Sequence, residues 1–254
     1  MVGVRFILER PMRERRESWA KNGRGGLRYD AVFLDVDGTL LWVDLNVDGY
    51  VEDLSPYGAG NGGLTAEAAS GPVWRSLHRH IRENVRYRTA ERLAGFKRRN
   101  AEQTAGELGI SAPSDVLTEV ADRRISFNPY PEAVEVLGEL DRLGIPLFVV
   151  SNWDIELEKV LADLGWTRYF DGIVASAVLG VEKPERGIFD EALRLAGVAP
   201  DRAVMVGNDP VSDVRGAFEA GVDSVYIARK DLEAPEATYV LSDLRGLPGI
   251  LRGR

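Results

Sequence analysis

Short apolar runs that stop at polar residues recur along this chain, and segments of helical periodicity closing on glycine separate them. The first run, Ala31-Val32-Phe33-Leu34, leads into Asp35-Val36-Asp37-Gly38-Thr39-Leu40. An apolar run stopped by Asp-Gly reads as a buried strand ending in a turn. From Pro131 onward the alternation becomes regular. Helices are predicted over 132–143, 155–164, 185–196 and 212–220, each followed by a glycine, the usual helix stop. Strands are predicted at Pro146–Val150, Gly172–Ala175, Ala203–Val206 and Ser224–Ala228, with a short one at Thr238–Leu241. Nearly every position in these strands is apolar, as in a parallel sheet covered by helices on both faces. The fold class is therefore α/β, a Rossmann-like parallel sheet.

Residues 44–127 break the pattern. Ser55 to Pro72 is rich in Gly, Ala and Ser and reads as loop. Trp74, Leu77, Ile81 and Val85 then fall at helical spacing. Arg86 to Gly106 continues as a charged helical stretch, and Pro113-Ser114-Asp115 starts another helix. No strand is predicted there. The expected organisation is a basic extension (1–28), a core formed by 29–43 and 128–254, and a helical cap inserted at 44–127.

Composition narrows the possibilities. The 254 residues suffice for one large domain, or a core with an insert. No apolar run approaches the roughly 20 residues of a membrane span. There is no cysteine, which removes disulfides, thiolate metal sites and a cysteine nucleophile and fits a cytoplasmic protein. With only His78 and His80, a histidine zinc site or a Ser-His-Asp triad has little material. Residues 1–29 carry +5 against −8 for the whole chain, leaving −13 on residues 30–254. Such an acidic body repels nucleic acid. An anionic small molecule stays compatible with it where a site holds a cation. The extension lacks a long apolar segment, so a secretory signal is not expected.

Ligands of open parallel sheets bind beyond the carboxyl ends of the strands. Polar residues occupy that position repeatedly: Asp35 and Asp37, Ser151 and Asn152, then Asn208 and Asp209, with Asp213 at the next helix start. Converging carboxylates repel one another unless protonated or neutralised. Their natural partner here is a hard cation; magnesium takes one or two carboxylates, waters and substrate phosphate. Such a site admits a phosphoryl group, and a carboxylate can then attack it to form an aspartyl-phosphate.

These residues resemble the four motifs of the haloacid dehalogenase-like hydrolase superfamily. Asp35-Val36-Asp37-Gly38-Thr39-Leu40 is similar to the first motif and Val149-Val150-Ser151-Asn152 to the second. Lys183-Pro184 is similar to the third, and Val206-Gly207-Asn208-Asp209, Asp213 and Gly216-Ala217 to the fourth. The resemblance covers about 29–245 and implies a capped, magnesium-dependent phosphohydrolase acting on a small phosphorylated metabolite. Asp35 would be the nucleophile and Asp37 the acid and base, with Gly38 permitting the turn between them. Thr39 and Ser151 would hydrogen-bond the phosphoryl oxygens, and Gly38 and Asn152 would join the substrate-binding set. Lys183 would stabilise the transition state. Magnesium (Mg2+) would be held by Asp35, the Asp37 carbonyl and Asp209, with Asp213 close by. Many relatives have aspartate where this chain has Asn208; a ligand at Asn208 instead would weaken metal binding. Rival readings on the same fold are a haloacid dehalogenase, a phosphomutase and a non-catalytic binding module. The presence of Asp37 favours phosphate esters over carbon–halogen bonds.

Overall fold

The computed structural model describes residues 26–58, 64–230 and 232–253. Most of the basic extension expected at 1–28, and the glycine-rich centre of the loop expected at 55–72, lie outside the described residues. The chain divides into two compact units, Val43–Asn128 and the residues on either side of it.

The α/β unit contains a six-stranded sheet with the order β5-β4-β1-β6-β7-β8. The strands are β1 (Ala31–Leu34), β4 (Leu147–Ser151), β5 (Gly172–Ala175), β6 (Ala203–Gly207), β7 (Asp223–Ile227) and β8 (Tyr239–Leu241). All five neighbouring pairs are parallel. β1, β4, β5 and β6 are buried at every position, which explains their unbroken apolar character. One core cluster joins Phe33, Phe148, Val150 and Met205 of the sheet to Ile188, Phe189 and Ala192 of the helix Arg186–Ala196. Phe33 meets Phe148 edge to face at 6.1 Å. Each such side chain contributes about 1.5–3 kcal/mol by leaving water.

The topology positions the site. From β1 the chain builds outward through β4 and β5, then returns to the opposite side of β1 for β6 and β7. β1 is thus where the direction of winding reverses, and a crevice opens at its carboxyl end.

The other unit is helical: Val47–Leu54, Ala66–Glu83, Ala90–Glu107 and Ser114–Arg123. Tyr50, Leu54, Ala69, Val73, Ala101, Ala105, Leu117 and Val120 belong to its core. Two details depart from the sequence reading. The second helix begins at Ala66 and runs through Pro72, within the stretch expected to be loop. The Thr65 hydroxyl accepts from the Ala68 amide and caps that end. The buried stripe is Ala69, Val73 and Leu77, whereas Ile81 is exposed, so the apolar face is turned by about one residue.

Two strands were also missed. β2 (Leu41–Leu45) and β3 (Ile125–Pro129) pair with each other where the chain enters and leaves the helical unit. The alternation of β2, Leu41 buried and Trp42 exposed, was a readable period-two signal. Among the described residues, no helix is long and apolar enough to cross a membrane.

Candidate active site

The end of β1 is fixed by the ladder itself. The Asp35 amide donates to the Val206 carbonyl at 3.0 Å, continuing the β1–β6 pairing by one residue. The chain then turns tightly: the amides of Thr39, Leu40 and Leu41 all point at the Val36 carbonyl, at 3.2, 2.9 and 3.1 Å. Gly38 has φ +81°, and a Cβ there would lie 2.2 Å from Asn208 Nδ2. Both the backbone and the space therefore demand glycine.

This turn brings three predicted residues together around the carboxylate of a fourth. Asp35 is 6% exposed. Its Oδ1 accepts from Ser151 Oγ at 3.0 Å and Lys183 Nζ at 2.7 Å. Its Oδ2 accepts from Thr39 Oγ1 at 3.1 Å. The hydroxyls expected to hold phosphoryl oxygens thus hold Asp35 here. Asp37 follows on the same turn, half-buried.

Lys183 binds a second carboxylate, donating to Asp213 Oδ1 at 2.6 Å. Asp213 is only 1% exposed, and its Oδ2 accepts from the Asp209 amide at 2.9 Å. A Cβ on Gly207 would lie 2.1 Å from that Oδ2, so glycine leaves room for the carboxylate. Burial pushes Asp213 up to about 6 against the opposing pull of Lys183, with Asp35 adding to the rise. Burial disfavours the charge on Lys183, but Asp213 and Asp35 together outweigh it and hold the ammonium above its ordinary pKa. The result is a buried cation between two carboxylates.

Two of the predicted site residues have partners within the chain. The Asn152 amide pairs with the main chain of Lys183. Its Nδ2 donates to the Lys183 carbonyl at 2.9 Å, and its Oδ1 accepts from the Lys183 amide at 2.7 Å. This two-point pairing fixes the main chain that carries the lysine.

The second is Asp209, expected from the sequence as a metal ligand. It is exposed, and its Oδ1 caps the next helix by accepting from Val211 and Ser212 amides at 2.9 and 2.6 Å. Asn208 takes the inward position. Its Oδ1 lies 3.2 Å from Thr39 Oγ1, the same hydroxyl that donates to Asp35. Among the described residues, no group of three or more acidic or imidazole side chains is arranged to hold a metal by itself.

A family model for haloacid dehalogenase-like hydrolases matches residues 29–221. The chain belongs to that family. This hydrolase is 30% identical to the pyrimidine 5′-nucleotidase YjjG of Escherichia coli over 243 residues, 89% of this chain and 99% of the relative. It is 41% identical to a phosphoserine phosphatase of Thermus thermophilus over 121 residues, 46% of this chain and 48% of the relative. Other curated relatives are likewise matched over less than half of their own length. Among solved structures, a 2-haloacid dehalogenase from Pseudomonas syringae pv. Tomato is similar at 25% identity and TM-score 0.59. That match covers 88% of this chain and 98% of the other.

The sequence reading passed over one charged group of this hydrolase. Arg229 follows β7, and its Nη2 donates to the Thr39 carbonyl at 2.9 Å and to Glu132 Oε1 at 2.6 Å. The signal was available: Arg229 occupies the same carboxyl-end position that singled out Asp35, Ser151 and Asn208.

Proposed function

We propose that this hydrolase cleaves phosphoric monoesters of small metabolites, with Asp35 as the nucleophile. The observation that carries the reading is the state of Asp35. A carboxylate at the crevice is gripped by Ser151, Thr39 and Lys183, all buried, so its direction is set before any substrate arrives. In the reaction an Asp35 oxygen bonds to phosphorus as the ester oxygen leaves. Asp37 supplies the proton to that oxygen, giving the free alcohol. Asp37 then takes a proton from water, whose oxygen attacks phosphorus and releases phosphate and Asp35. Lys183 keeps a fixed positive charge beside the reacting carboxylate.

The oxygen donors fit a magnesium ion. Asp35 and Asn208 Oδ1 share the Thr39 hydroxyl, so one anionic and one neutral oxygen face the same point. They would hold the ion together with the Asp37 main-chain oxygen. When bound, it would neutralise phosphoryl charge. One protein carboxylate with neutral donors leaves room for waters and phosphate oxygens. The family and the phosphatase and nucleotidase relatives support this reading. The helical insert is proposed to select the substrate.

The test is phosphate release from a panel of phosphorylated metabolites, with and without magnesium, for wild type and Asp35→Asn. Magnesium-dependent release lost in the variant is expected. A folded, magnesium-binding protein that releases no phosphate but frees chloride from 2-chloropropionate would overturn the reading.

A further inference from the structure

Arg229 carries more constraint than its place just beyond the carboxyl end of β7 requires. Its guanidinium lies 3.4 Å from the centroid of the Tyr130 ring. Tyr130 is itself tied to the motif loop, since its amide donates to the Leu40 carbonyl at 3.0 Å. Trp42 packs on the same ring at 5.2 Å. Glu132, the counter-ion, is buried. Consecutive carbonyls of the loop, Thr39 and Leu40, are therefore held from one side by Arg229 and Tyr130. The Thr39 side chain meanwhile faces Asp35.

The arrangement is energetically expensive. A buried ion pair loses hydration that its attraction does not fully return. Arg229 Nε adds to this, being buried without a hydrogen-bond partner among the described residues. An apolar pair would pack the same space at lower cost. What the charged pair adds is direction: a single nitrogen, Nη2, serves both Thr39 and Glu132 and so fixes the loop carbonyl relative to the helix behind it.

We propose that Arg229, with Glu132 and Tyr130, is a positioning residue for the catalytic loop. It holds Thr39, and through Thr39 the relative placement of Asp35 and Asp37. This rests on the hydrolase reading above for its catalytic consequence, but not for its structural one.

The test uses Arg229→Met, Arg229→Lys and Glu132→Gln in the full chain. Arg229→Met is expected to lower kcat by about 10²-fold, the effect of a roughly 1 Å misplacement, with KM within about threefold. Arg229→Lys is expected to recover kcat in part, to between the Arg229→Met and wild-type values, because one ammonium nitrogen can serve both acceptors while the face stacked on Tyr130 is lost. Amide exchange at Thr39, Leu40 and Leu41 is expected to quicken by about tenfold or more in Arg229→Met and to stay near wild type in Arg229→Lys. Glu132→Gln keeps the shape and serves if Arg229→Met does not fold; a smaller loss of kcat with the same exchange pattern is expected. Unchanged loop exchange in folded Arg229→Met and Glu132→Gln overturns the proposal. So does a rise in KM at constant kcat, which would make Arg229 a substrate contact. If the wild type turns over no phosphate ester, the exchange experiment still decides the clamp, and only the hydrolase reading falls.

Discussion

The polar centre of the α/β unit contrasts with one buried group of the helical unit. In the α/β unit, Asp35, Lys183 and Asp213 are sealed from water, and each makes at least two charge-assisted contacts. In the helical unit, the core combines Leu54, Ile110 and Leu117 with small residues such as Ala69, Ala101 and Ala105, and Tyr50 buries its hydroxyl there without a partner among the described residues. Tyr50 is only 2% exposed, so solvent does not replace that bond. Burial pushes its phenol up to about 12. Satisfied burial fixes geometry for chemistry; unsatisfied burial only lowers stability. One unit is over-determined at its polar centre, and the other carries a removable defect.

The comparison breaks most visibly at Lys183. Lys183→Met leaves two buried carboxylates facing each other, and a loss of about 3–5 kcal/mol in chemical denaturation is expected. Phosphate release should fall by at least about 10²-fold in whatever fraction remains folded. Wild-type stability in that variant would mean the cluster is already neutralised by protonation. Tyr50→Phe tests the opposite sign. Removing an orphaned hydroxyl is expected to raise stability by about 1 kcal/mol, read as an upward shift in Tm. A decrease would show that the hydroxyl has found a bridging water.

The smallest effect is at the surface of the helical unit. Hydrogen bonds from Arg124 and Arg123 hold the Asp53 carboxyl down at about 2. A folded-state pKa below the unfolded value gives stability that is present above about pH 4 and lost as the pH falls toward 2. Asp53→Asn should therefore flatten the acid limb of a stability–pH curve slightly and leave neutral-pH activity alone. An unchanged acid limb would mean the arginines reach solvent instead.

Most of the sheet was readable because buried parallel strands leave a plain signal: apolar runs such as Val149-Val150 and Val204-Met205-Val206, ended by the residues that face the crevice. Asp35 and Ser151 followed from that rule alone. Less was readable where a one-residue offset decides direction. Asn208 and Asp209 are adjacent and similar in shape, and only the turn after β6 sends the first inward and the second to a helix cap. The helix Ala66–Glu83 was offset in the same way, since Trp74 and Val73 both satisfy a helical period and only packing chooses Val73. Pro72 and its small neighbours read as loop because local propensity carries no record of the Thr65 cap. Arg229 was missed because its partners, Thr39 and Glu132, are distant in sequence.

The position of β1 in the middle of the sheet also governs when the site can exist. Along the chain, Asp35 is separated from Ser151 by 116 residues and from Lys183 by 148. Thr39 is separated from Asn208 by 169 and from Arg229 by 190. During synthesis, at about 5–20 residues per second, Asp35 leaves the ribosome many seconds before the groups that hold it. A nascent chain halted before β6 would carry the Asp35 carboxylate without its lysine's second anchor, Asp213, or the Arg229 bond to Thr39. Placing the first strand at the centre makes activity a late event in the birth of the molecule, and makes long-range closure, which is slow, the step that turns it on.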